Sequence, residues 1–187
     1  MSYKNENMKM IELHENGLDI QFRIRENGVV ELADFSSQEV KKAVMEPKED
    51  ICYPAVEIHR SGTGSLNMHA YKNNINQSSV DFVYENHELK AQAGGKELEI
   101  VMISPEKLKA VYHMRLFDGV PAVQTWTEII NEGSEDQGLT YVSSFMYQGI
   151  SRGGEKPYYK KTDIYVPFNS WCCEAQWQKY DAETLNL

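Results

Sequence analysis

Basic charge, cysteine and long apolar runs are all scarce in this chain, and each shortage excludes a class of function. Nineteen Lys and Arg face 28 Asp and Glu over 187 residues, a formal net charge of −9. A nucleic-acid binder would instead turn a basic face to phosphates. No run approaches the roughly 20 apolar residues needed to cross a bilayer, so no membrane partner is expected. The stretch Met1 to Asn7 is polar and lacks the apolar core of a signal peptide, so the expected location is cytoplasmic. The three cysteines, Cys52, Cys172 and Cys173, form no disulfide framework, because adjacent cysteines close only a strained ring. They also lack the paired spacing of a zinc site, and buried thiols in a reducing compartment are expected.

Helical periodicity is nearly absent too, and a period of two stands in its place. The longest such pattern runs from Pro105 to Tyr147. Leu108, Ala110, Tyr112, Met114 and Leu116 alternate with Lys107, Lys109, His113 and Arg115, as in a half-buried strand. Asp118-Gly119 then signals a hairpin, because its two-residue turn needs positive φ. The return run sets Ala122, Gln124, Trp126, Glu128 and Ile130 against Val123, Thr125, Thr127 and Ile129. It breaks at Asn131 to Gly133 and resumes at Leu139; Trp126 is expected in the core.

Earlier strands are expected at Met10 to Leu13, Leu18 to Arg25, Val29 to Ala33, Tyr53 to His59, Val80 to Tyr84, Glu88 to Ala93 and Glu97 to Ile103. Asn27-Gly28 and Gly94-Gly95 mark turns. Asp34 to Asp50 reads as an irregular connection with room for a helical turn over Gln38 to Met45. Ser61 to Gly64, Asn73 to Ser79 and Gly149 to Lys161 read as loops. Thr162 to Phe168 reads as a short strand that Pro167 confines to an edge or strand end, followed by a tail. About ten short strands with frequent turns imply an all-β sandwich or barrel, one domain over 1–187.

Catalytic signatures are missing. No Gly-x-Ser-x-Gly elbow is present, and Ser61 to Gly64 lacks the length and lysine of a phosphate loop. His14, His59, His69, His87 and His113 show no metal-binding spacing and read as surface or satisfied sheet histidines. No pair of facing carboxylates stands out as a glycosidase would need. Glu57, Glu128 and Glu174 alone sit among apolar neighbours, and strand alternation accounts for the first two. No catalytic residue, metal or cofactor is therefore expected. Eleven tyrosines and three tryptophans fit a sugar-stacking surface or a strand-rich core equally. Trp171 and Trp177, in the tail, are open to both readings.

Several segments together resemble one family, the amino-terminal domain of glycoside hydrolase family 36 α-galactosidases. Pro54 to His59, followed by Asn67 to Lys72, is similar to that family's strand and its His/Lys-containing loop, with one of the usual neighbouring histidines missing. Leu98 to Phe117 and Val123 to Gly133, the latter ending in Asn-x-Gly ahead of Leu139 to Phe145, follow in the same order. Asn169 to Trp177 is similar to the family's Trp-x-x-Glu segment. The match spans Pro54 to Trp177.

The resemblance implies an antiparallel β-supersandwich, the non-catalytic domain of a retaining α-galactosidase. Two aspartates on a following (β/α)₈ barrel of roughly 250 residues would carry the chemistry. That barrel would be the domain's partner, with a homo-oligomer and α-galactoside sugars as partners of the parent enzyme. Trp171, Glu174 and Trp177 lie nearest in sequence to where it would begin. They are the candidates for barrel docking or substrate contact. A stand-alone carbohydrate-binding module is the first rival and would expose an aromatic platform. A small enzyme such as a sugar epimerase is the second, and would need a histidine and a carboxylate converging in a cleft.

Overall fold

A computed structural model of the chain describes residues 9–37, 53–64, 76–147 and 162–185. Cys52, His69, the helical turn expected over Gln38 to Met45 and the loop expected over Gly149 to Lys161 fall outside these residues. The described residues divide into two compact units, one holding 9–37, 53–64 and 76–147, the other 162–185.

The first unit is all-β apart from one short helix. Its strands are β1 (Lys9–Glu15), β2 (Leu18–Ile24), β3 (Val30–Ser37), β4 (Ile58–Arg60), β5 (Val83–Gln92), β6 (Gly95–Ile103), β7 (Leu108–Phe117), β8 (Val120–Asn131) and β9 (Leu139–Val142), with α1 at Gln77–Val80. They form three antiparallel sheets, ordered β1-β2-β3, β5-β6-β7-β8 and β4-β9.

The three- and four-stranded sheets share one core, so the fold is a sandwich. Ile20 and Phe22 on β2 meet Leu98, Ile100, Tyr112 and Met114 on β6 and β7, all buried. Phe22 packs edge-on against Tyr112 with ring centroids 5.7 Å apart. Burying such side chains contributes about 1.5–3 kcal/mol each, which is why the even-numbered face of β7 turns inward.

The hairpin tips are tied across the sandwich. Glu15 pairs with Leu18, leaving Asn16 and Gly17 as a two-residue turn with φ of 52° and 83°. That is the primed turn that matches strand twist, and the Asn-Gly pair signals it in the sequence. Asn16 then donates from Nδ2 to the Phe117 carbonyl at 2.8 Å and accepts from the Gly119 amide at 3.0 Å. Asp118-Gly119 forms its hairpin as expected, with Phe117 paired to Val120. At Asn27-Gly28 the chain also reverses, through a longer loop joining Ile24 to Val30. The Gly28 carbonyl accepts from the Tyr84 amide at 2.8 Å, and a Cβ there would sit 2.9 Å from that of Val83.

Several boundaries differ from expectation. Of Tyr53 to His59, only Ile58 and His59 enter a strand. Asn73 to Ser79 was expected as a loop, yet Gln77 to Ser79 lie in α1, whose N-cap Asn76 accepts from the Ser78 amide. The two strands expected within Val80 to Ala93 are the single β5, and β3 runs on through Asp34 to Ser37. For β3 and β5 the extra length is held by pairing with β2 and β6, whereas α1 is started by its own local cap.

The second unit is a hairpin of β10 (Asp163–Ser170) and β11 (Cys173–Asp181). The tail expected after Phe168 is thus largely a strand. Cys172 and Ala175 sit at φ of 62° and 51°, and the register shifts between Phe168 and Ser170. Cys172 is exposed and Cys173 half-buried, both free, which corrects the expectation of buried thiols for these two.

Candidate functional site

The core face of the four-stranded sheet is apolar; its opposite face carries a charged cluster. Register alone assembles it. His113 on β7 lies directly across from Glu99 on β6 and from Trp126 on β8, and Arg115 lies across from Glu97. Directly opposed residues share a face, so all five side chains lie on the same side of the sheet.

The imidazole of His113 is the hub. Its Nδ1 lies 2.9 Å from Glu97 Oε1 and 4.0 Å from Glu99 Oε1. Its Nε2 lies 3.9 Å from Glu128 Oε2, beyond hydrogen-bond reach, and has no partner although it is buried. The Trp126 indole stacks on the ring with centroids 4.6 Å apart and planes 4° from parallel. That stack corrects the expectation of Trp126 in the core: it lies half-buried on the far face and shields a histidine. The carboxylates are held in turn. Gln92 Nε2 donates to Glu97 Oε2 at 2.7 Å, and Lys90 Nζ to Glu99 Oε2 at 2.5 Å. The Glu99 bond raises the Lys90 ammonium above its ordinary pKa. Glu97, Glu99 and His113 offer ligand atoms within 4.8 Å of one another, so they could hold a metal ion.

A second buried pair lies beside β4. Glu57 Oε1 accepts from the Asn76 amide at 2.7 Å and lies 3.1 Å from His59 Nε2, while Tyr141 packs on the His59 ring at 5.0 Å. Strand alternation therefore does not account for Glu57; it is a buried acceptor that anchors the start of α1. Next to it, Arg60 bridges Asp81 at 3.3 Å and Glu106 at 2.7 Å. Burial alone would raise the Glu106 pKa, but bonds from Arg60, its own amide and Ser104, together with the Arg60 charge, outweigh that and lower it.

The three residues singled out from sequence lie on the second unit. Trp171 sits at the tip of the β10–β11 hairpin and is 95% exposed, and Glu174 follows on β11, also exposed. Trp177 is 64% exposed and pairs with Pro167; Tyr165, across from Lys179, shares its face.

Sequence reasoning missed the Glu97/Glu99/His113 set, because a Glu-x-Glu on one strand and a histidine 14 residues beyond Glu99 match no linear motif. The available signal was the strand period: both glutamates and the histidine fall on the polar face of neighbouring runs. Fold and sites together define an all-β sandwich with a shielded histidine–carboxylate cluster and a separate aromatic hairpin. No family model matches the chain, and no curated protein matches it.

Proposed function

We propose that this chain is the non-catalytic amino-terminal β-supersandwich domain of an α-galactosidase of glycoside hydrolase family 36. In this reading a catalytic barrel docks on the hairpin through Trp171, Glu174 and Trp177, and the parent enzyme is a cytoplasmic homo-oligomer acting on α-galactosides. The observation that carries it is the uncovered aromatic surface of β10–β11, where Trp171, Trp177 and Tyr165 are all more than half exposed. An apolar surface of this kind marks a contact site. The antiparallel sandwich agrees with the fold the resemblance implies.

The same exposed rings support a second reading, a stand-alone carbohydrate-binding module stacking sugars on Trp171 or Trp177. The size of the native gene product separates the two. An antibody against this domain should detect a band several-fold heavier than 21.5 kDa in source-cell extract. A band at 21.5 kDa overturns the first reading, and binding of galactose or raffinose by the isolated chain, lost in Trp177→Ala, would then establish the second.

A further inference from the structure

We infer that Glu97, Glu99 and His113 form a binding site for a divalent transition-metal ion of the Mn²⁺ or Zn²⁺ kind. His113 Nδ1 and one oxygen of each glutamate would be the ligands. The inference stands independently of the α-galactosidase reading. Each carboxylate spends its Oε2 on a neighbour, Gln92 or Lys90, and turns its Oε1 toward the imidazole. Ligands about 2.0–2.2 Å from one ion lie roughly 3 Å apart. The 2.9 Å between His113 Nδ1 and Glu97 Oε1 already meets that spacing, and Glu99 Oε1, at 4.0 Å, needs a shift of about an ångström.

The protons on His113 make the stronger case. Its side chain is only 9% exposed, and Nε2 is buried without a partner. A neutral imidazole carries one N–H and one lone pair. If Nδ1 holds the hydrogen and donates to Glu97, Nε2 buries a lone pair facing only the carboxylate of Glu128. If Nε2 holds it, the Nδ1 lone pair meets a carboxylate oxygen at 2.9 Å, acceptor against acceptor. A cation on Nδ1 removes the conflict. The lone pair and both Oε1 atoms bind the ion, and the Nε2 hydrogen faces Glu128, whose Oε2 at 3.9 Å would have to move closer to complete a carboxylate–histidine–metal arrangement. Two negative charges meet two positive ones, and two oxygens with one nitrogen suit an ion of borderline softness. Trp126 covers one face of the ring. Lys90 opposes the ion, since its ammonium already holds Glu99.

A proton could do the same work, giving an imidazolium among three carboxylates, and the test must separate the two. The chelator-treated chain is titrated with Mn²⁺ and followed by electron paramagnetic resonance. Mn²⁺ favours oxygen and nitrogen ligands, so Cys172 and Cys173 do not compete. One ion per chain is expected, displaced by Zn²⁺. Glu99→Gln and His113→Gln should each weaken binding tenfold or more, and Lys90→Met should tighten it several-fold. Circular dichroism checks folding; if His113→Gln fails to fold, Glu99→Gln, at a partly exposed strand position, decides the matter. The inference is overturned by absent saturable binding or by binding indifferent to the substitutions. Nitrogen spectra in which both His113 ring nitrogens stay protonated after Zn²⁺ is added would also overturn it.

Discussion

Two buried side chains on adjacent positions of β7 show how one strand serves two environments. Tyr112 faces the core and packs on Phe22; His113 faces the other way, among carboxylates. Burial pushes the Tyr112 hydroxyl well above its ordinary pKa; its contact with Thr125, short of hydrogen-bond geometry, opposes this less. The folded chain therefore keeps a proton that the unfolded chain loses near pH 10. The associated stability is complete below pH 10 and declines as the pH climbs past it, by at most about 1.4 kcal/mol per pH unit. Urea midpoints between pH 9 and 11 should fall for the native sequence and fall less for Tyr112→Phe. Equal slopes would show that Tyr112 ionises freely.

Among elements, the hairpins are the units that alternation and turn chemistry specify, and their tips decide how sheets meet. Asn16 belongs to the β1–β2 turn yet bonds twice to the β7–β8 turn, about a hundred residues away. Asn16→Ala should cost about 1–2 kcal/mol, combining lost hydrogen bonds with a positive φ that alanine tolerates poorly. Asn16→Gly keeps the turn and loses only the bonds, so it should cost less. Chemical denaturation of both variants separates the two effects: an Asn16→Gly chain as stable as the native one would mean that the bridge contributes nothing, and equal costs for the two variants that alanine meets no strain at this φ. The sequence displayed Asn16-Gly17 as plainly as Asp118-Gly119. The partner of that turn was not legible, because a side-chain bond between two loops leaves no periodic trace.

For the whole molecule, the three tryptophans report three surroundings. Trp171 and Trp177 are open to solvent on the hairpin, and Trp126 is covered on one side by His113. Acrylamide should quench most of the emission readily, and Trp126→Phe should remove the least-quenched component. If Trp171→Ala removes that component instead, the hairpin is covered in solution and the docking surface is lost. Apolar-dye binding should fall in Trp171→Ala and Trp177→Ala for the same reason. Among the described residues, no helix is long and apolar enough to cross a membrane.

The sequence by itself determined the fold class and the central hairpin of β7 and β8, because strand alternation and turn chemistry act over a few residues and are written directly in the order of side chains. Leu108, Ala110, Tyr112, Met114 and Leu116 turned inward as the pattern required. Only the tertiary structure decided which polar residues meet. That Glu99, His113 and Trp126 stand in one row depends on the register of β6, β7 and β8, and a slip of one residue would have sent them to opposite faces. The burial of Glu57 likewise depends on the Asn76 amide 19 residues further on. Such pairings are stabilised by contacts between distant segments, so residue spacing along the chain carries no record of them.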